Sequence, residues 1–303
     1  MGILGKQIAF VFPGQGSQAV GMGKDFADNS PAARAVFDVA GERISGLCFE
    51  GPAEELGRTV NTQPALYTTC CAACAAVCEL VRPMVCAGHS AGEYAALCAA
   101  GAFSFADGLA LIQKRAELMD RCAAANPGGM AAVIGLAPEV LAEINARVKG
   151  VCVNANINSP AQTVVSGEKA ALEEAAALYK EAGARRVVPL NVSGAFHSPL
   201  MEQAKEGLEK ALQLTRIERC TVPVVANADA LPETDPETVR ANLARQLTGS
   251  VRWVESVNRM TAMGAEAFVE LGSGTVLAGL VKKIAPGIPV VSVSCMADLD
   301  LLR

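Results

Sequence analysis

The sequence predicts an α/β protein: a core of parallel strands wrapped by helices, with a second, smaller lobe inserted into it. Three observations carry this. The 303 residues are 51% hydrophobic and 19% charged, an ordinary balance for a globular chain with a large core. Short apolar runs end in glycine-rich loops and pass into helical stretches, the rhythm of strands whose carboxyl ends face a ligand. From about residue 127 to 190 the rhythm becomes β-α-β-β-α-β, a split ferredoxin-like unit.

The first expected strand is Gln7 to Phe12. It carries no cleavage pattern and reads as structure, not as a secretion signal. It ends at Pro13-Gly14-Gln15-Gly16-Ser17-Gln18, a polar loop read as a ligand site. A dinucleotide fingerprint is not completed there, because Ala19 stands where the third glycine would fall. Ser30-Pro31 opens a helix, with proline at its first position. Gly51-Pro52 marks a loop, and Thr62-Gln63-Pro64 begins a helix expected to run to about Val81.

Met84 to Ala87 is the next strand, and it feeds Gly88-His89-Ser90-Ala91-Gly92. This is G-x-S-x-G between a strand and an alanine-rich helix. In such an elbow the serine hydroxyl is exposed on a sharp turn, with backbone N–H groups of the helix start beside it. A further helix, Phe105 to Cys122, carries Arg115. The β-α-β-β-α-β unit follows, and its flanks Asn126 to Gly129 and Ser193-Gly194 set the expected boundaries: a core of residues 1–126 and 195–303, and a small lobe of residues 127–194. After it the chain should return to the core, with strands near Val222 to Asn227, Phe268 to Leu271 and Val290 to Val293. Helices are expected near Glu237 to Leu247 and Val251 to Met263. A cleft between two lobes is a preferred place for a ligand.

Composition excludes several classes. Net charge is −5 with Lys and Arg scattered, so no nucleic-acid partner is expected. No apolar run reaches membrane-spanning length without a Gly, Pro or charged interruption, so no membrane role is expected. Eleven cysteines include a C-x-x-C at Cys71 and Cys74. No second pair at ligand spacing follows. Cys70, Cys74 and Cys78 share one helix face, so they read as small buried hydrophobes, not a metal site. Many unpaired thiols point to the reducing cytoplasm.

A serine hydroxyl needs an adjacent base to become a nucleophile, and histidine is the natural one. Only two histidines exist. His89 is locked in the elbow and should point away from Ser90, as a packing or hydrogen-bonding group behind the turn. His197, in the glycine-bounded segment at the lobe junction, is the candidate base. No acid between Ser90 and His197 stands out as a third member. A backbone carbonyl could orient the imidazole instead.

Phe12 to Gln18, Thr62 to Leu66, Gly88 to Tyr94, Arg115, Asn158-Ser159-Pro160, Gly194 to Ser198 and Glu270-Leu271-Gly272 occur together in one order. In this the chain resembles, from end to end, the malonyl-CoA:acyl carrier protein transacylases of the acyltransferase family. The resemblance implies an α/β-hydrolase-like core with an inserted ferredoxin-like subdomain. It implies ping-pong transfer of malonyl through Ser90, with His197 as general base. The backbone N–H groups of Gln15 and Ala91 would hold the oxyanion. Arg115 would pair with the malonyl carboxylate, where its residue-level alternative is a solvated charge beside Lys114 and Glu117. The main-chain carbonyl of Gln246 would orient His197, Asn158 would lie near the site, and Phe196 would crowd an α-methyl branch.

Further expectations are no metal or bound cofactor, malonyl-CoA and acyl carrier protein as partners, a monomer, and docking through Arg185, Arg186, Lys282 and Lys283. Ala91 replaces the family's commoner leucine, and Gly272-Ser273-Gly274-Thr275 its commoner Gly-Pro-Gly-Lys. The alternatives are a serine hydrolase or thioesterase, for which Arg115 would be superfluous, and a non-catalytic docking module, against which Ser90 and His197 both speak.

Overall fold

The computed structural model describes residues 2–303. Ten strands are found among them: β1 (Ile8–Phe12), β2 (Val85–Gly88), β3 (Gly129–Ile134), β4 (Cys152–Ser159), β5 (Gln162–Gly167), β6 (Arg186–Pro189), β7 (Val224–Val225), β8 (Pro232–Glu233), β9 (Ala267–Leu271) and β10 (Val290–Val293). They form a six-stranded sheet in the order β10-β9-β1-β2-β7-β8 and a four-stranded sheet in the order β4-β5-β3-β6. All neighbours in the first sheet are parallel except the short edge pair β7 and β8. The second sheet is antiparallel throughout. With the helices Pro138–Asn145 and Lys169–Glu181 it forms the split β-α-β-β-α-β unit.

β1 shows why a parallel sheet forms here. All five of its residues are buried, as expected for a strand covered on both faces. Ile8, Phe10 and Phe12 join the larger core with the helices Thr59–Val77, Gly92–Ala99 and Phe105–Ala125. Ala9 and Val11 point the other way, into a second core built from Trp253, Val257, Met260, Leu277 and Val281. The small lobe has its own core around Val133, Leu141, Val165 and Tyr179.

The two units are joined by backbone as well as by side chains. Val251 of the main unit pairs with Asn156 of β4, its N–H donating to the Ala155 carbonyl at 2.8 Å and its carbonyl accepting from the Ile157 N–H at 2.9 Å. Ser250 Oγ donates to the Asn154 carbonyl beside them.

Several expectations shift. The helix expected from Thr62 begins at Thr59 and ends at Val77, so Pro64 lies inside it, within the first two turns. The expected helix 105–122 extends to Ala125. The strand expected over 222–227 is only Val224–Val225, because the chain turns at once into the hydrogen bonds of Asn227. The helices Glu202–Leu214 and Val276–Ile284 were not anticipated, nor was the antiparallel edge strand β8. No helix among the described residues is long and apolar enough to cross a membrane.

Candidate active site

The elbow is shaped by close approach. A Cβ on Gly92 would fall on the Phe12 carbonyl oxygen, and one on Gly88 would overlap the backbone of Gly92. Gly14 likewise lies against the His89 carbonyl. These glycines are required because the end of β1, the end of β2 and the helix start are packed backbone to backbone. Ser90 then takes a left-handed φ of 53°, which a non-glycine residue adopts only where its surroundings enforce it. Enforcement comes from Asn227: its Oδ1 accepts from the Ser90 N–H at 2.7 Å, and its Nδ2 donates to the Gly88 carbonyl at 2.6 Å.

Ser90 Oγ lies 2.7 Å from His197 Nε2. His197 is also left-handed, with φ 56°, and it is 3% exposed. Its Nδ1 donates to the Gln246 carbonyl at 2.8 Å. A carbonyl only accepts, so the ring proton sits on Nδ1 and Nε2 is free to receive the serine proton. Burial, then the nearby Arg115 charge, push the His197 pKa down to about 3, so the imidazole is neutral at rest.

Arg115 is fully buried, which overturns the solvated-charge alternative. Lys114 and Glu117 pair with each other at 3.1 Å on the outer side of the helix. The guanidinium turns inward over the Tyr94 ring, 5.5 Å from its centroid. It donates to Gln63 Oε1 at 2.7 Å, Gln246 Oε1 at 2.9 Å and Ser90 Oγ at 3.1 Å, while Nε has no partner. A buried cation held only by neutral acceptors beside a serine hydroxyl has the chemistry to receive an anion.

A cleft of about 540 Å³ opens above Ser90 between the two units. Gln15, Ala91, Asn158 and Phe196 all line it with Ser90 and His197. Among the described residues, the backbone N–H groups of Gln15 and Ala91 find no acceptor within the chain. Those two donors, one at the loop after β1 and one at the helix start, are free for an oxyanion. The Ser90 N–H is not, since Asn227 takes it.

Asn158 lines the cleft and is also tied to the elbow. Its Oδ1 accepts from His89 Nε2 at 2.8 Å, and the His89 ring lies edge-on to Trp253. His89 thus faces away from the nucleophile and braces the small lobe against the elbow. Gln246 acts twice, through its carbonyl on His197 and its side chain on Arg115. Three buried residues were not anticipated as parts of the site: Asn227, Glu93 and the side chain of Gln63.

All eleven cysteines are free thiols, and no cluster fit to hold a metal is found among the described residues. Arg185, Arg186, Lys282 and Lys283 are exposed.

A serine on a strand-turn-helix elbow, a neutral histidine in contact with it, and free N–H donors make up the arrangement that acyl transfer through a serine requires. Residues 9–288 match the acyl transferase domain family. The chain is 44% identical to the malonyl CoA-acyl carrier protein transacylase of Bacillus subtilis, over 97% of this chain and 96% of that protein. The crystal structure of an acyl carrier protein S-malonyltransferase from Vibrio cholerae superposes with a TM-score of 0.95 at 40% identity, covering 98% of this chain and all of that one. A malonyl-transacylase solved in complex with a type II polyketide synthase acyl-carrier protein gives 0.94 at 37% identity, covering 98% of this chain and 99% of that one. The chain belongs to the acyl transferase family, among its malonyl CoA-acyl carrier protein transacylases.

Proposed function

We propose that this protein carries malonyl from malonyl-CoA to the phosphopantetheine thiol of an acyl carrier protein through a malonyl ester on Ser90. The observation that carries the reading is Arg115, a wholly buried guanidinium 3.1 Å from the nucleophile. A pocket for neutral acyl groups has no use for such a charge, whereas a planar fork suits a carboxylate.

His197 Nε2 takes the Ser90 proton as Oγ attacks the thioester carbonyl. The Gln15 and Ala91 N–H groups hold the oxyanion. As the intermediate collapses, His197 returns the proton to the departing coenzyme A sulfur. The carrier thiol then repeats the sequence in reverse order, with His197 taking its proton and giving it back to Ser90. Arg115 keeps the malonyl carboxylate fixed through both halves, so each thiol meets the carbonyl in one orientation. These steps use side chains and backbone only, with no metal or bound cofactor.

The buried Phe196 would narrow the pocket against an α-methyl branch, worth about 1–3 kcal/mol of selectivity. Arg185, Arg186, Lys282 and Lys283 are the basic groups offered to an acidic carrier protein. The protein is read as a cytoplasmic monomer serving fatty-acid or polyketide synthesis.

The test is a mass measurement after incubation with malonyl-CoA. The protein should gain one malonyl group and pass it to holo acyl carrier protein, and Ser90→Ala should gain none. An unmodified parent protein that nonetheless turns over would exclude the serine ester.

A further inference from the structure

Glu93 lies in the first turn of the helix Gly92–Ala99, fully buried, and the transfer chemistry makes no use of its charge. Its Oε2 accepts from Gln246 Nε2 at 2.8 Å and from the Asn227 N–H at 3.0 Å, while Oε1 has no partner. The far end of the same Gln246 amide faces Arg115, its Oε1 accepting at 2.9 Å. A guanidinium only donates and a carboxylate only accepts, so the amide can stand only this way round. Arg115 itself touches no carboxylate: its acceptors are Gln63, Gln246 and Ser90. One buried cation and one buried anion therefore stand a single amide apart.

We propose that Glu93 is the resident counter-charge of the Arg115 site, coupled to it through Gln246, and that it weakens the site's hold on the substrate carboxylate; this rests on the reading of Arg115 as the malonyl receptor. A direct ion pair would occupy the guanidinium and close it to substrate. With no anion nearby, the buried cation would be uncompensated and would grip a malonyl carboxylate hardest. The spacer amide avoids both. The guanidinium stays free of any carboxylate and in contact with Ser90, and a bound carboxylate must share it with Glu93 behind. Two anions on one cation repel each other, so the acyl group is held in place without becoming a sink that the second thiol cannot empty.

The other ionisable groups around Glu93 act in the same sense or stay silent. Asp229, on the segment after β7, adds negative charge, whereas burial raises the Glu233 carboxyl to about 8, so that it is largely neutral at pH 7. Tyr94 is held neutral by burial, and so is His197. Burial holds the Glu93 carboxyl well above the usual carboxylate range against the pull of Gln246, Asn227 and Arg115. Arrival of a further anion is then expected to drive a proton onto it.

The experiment compares binding of malonyl-CoA and acetyl-CoA by calorimetry in a Ser90→Ala background, where no transfer occurs. Glu93→Gln keeps the side-chain shape and an acceptor for both donors. It should lower the malonyl-CoA dissociation constant about tenfold and leave that of acetyl-CoA unchanged. Unchanged or weaker malonyl-CoA binding overturns the proposal. Arg115→Ala in the same background separates the two readings. If it does not weaken malonyl-CoA binding, the receptor reading falls. If it does, while Glu93→Gln has no effect, only the counter-charge falls. A second measurement leaves Glu93 in place: in buffers of different ionisation enthalpy at neutral pH, malonyl-CoA should bind with more proton uptake than acetyl-CoA. Equal uptake also overturns the proposal.

Discussion

His197 Nε2 and Ser90 Oγ stand 2.7 Å apart, and both residues hold a left-handed backbone, with φ of 56° and 53°. The pair is set by strained main chain on two segments far apart in sequence, each fixed by further hydrogen bonds. Gln246 takes the Nδ1 proton, and Asn227 takes the Ser90 N–H.

The base should stay unprotonated far into acid. Its pKa is pushed down to about 3 by burial and the Arg115 charge, and its active form is the neutral one. The pH profile of kcat/KM reports the free protein. With acetyl-CoA, whose acyl group lacks a carboxylate, no histidine limb is expected between pH 8 and 5 (roughly the range in which an ordinary imidazole titrates). A limb near the ordinary histidine value would show that the resting imidazole is solvated.

Asn227 should matter to the elbow as much as to stability. Asn227→Ala strands the Ser90 N–H and the Gly88 carbonyl in a buried place, at a cost of about 1–3 kcal/mol. Released from that clamp, Ser90 should relax from its left-handed φ. The variant is expected to lose one to two orders of magnitude in malonyl-serine formation (roughly the effect of misplacing reacting groups by an ångström). Rapid-quench mass spectrometry would measure this, and an unaltered rate in a folded variant would remove the clamp from the mechanism.

Arg115→Lys should not rescue Arg115→Ala. The guanidinium serves three acceptors at once, on Gln63, Gln246 and Ser90, and an ammonium cannot span that fork. Both variants are expected to lose about 2–5 kcal/mol of malonyl-transfer specificity, read as kcat/KM against acetyl-CoA. Full recovery with lysine would mean that charge alone suffices.

Glu233 offers a stability test away from the chemistry. It is 4% exposed, with Oε2 accepting from Asn242 and Oε1 unpartnered. Burial, reinforced by Glu93, raises its pKa above the ordinary 4.5. A raised carboxyl favours the folded state below its unfolded pKa, and that advantage is lost as pH rises through the folded value. Glu233→Gln should therefore leave the denaturant midpoint unchanged near pH 4 and stabilise the protein by about 1–3 kcal/mol near pH 8. The same gain at both pH values would refute the ionisation account.

What the sequence discloses and what it withholds follow one physical line. The elbow and the loop after β1 are legible because backbone crowding demands glycine, and glycine is visible. The small lobe is legible because its alternation of strand and helix is local. Arg115 is not legible from its neighbours: Lys114 and Glu117 make a surface-like run, and only the packing of its helix against Thr59–Val77 turns it inward. The family resemblance supplied what spacing could not. Asn227 and Glu93 stayed hidden because their partners lie across the sheet. The bond between Asn227 and Ser90 spans 137 positions, and no pattern in either segment announces the other. Strand order is hidden for the same reason, since β1 finds its neighbours in β2 and the late strand β9.

The backbone pairing of Val251 with β4 gives the inserted lobe a fixed mounting. The lobe is therefore better seen as a plate bolted to the core than as a jaw that closes. Met130, Ala132 and Val164 on its inner surface form one wall of the cleft, and Phe196 of the core faces the same space. A designer grafting a relative's lobe onto this core would keep the seam at 154–157 and 250–251 intact, and should then retain Arg115, Phe196 and the Ser90–His197 pair, and with them this protein's own acyl preference.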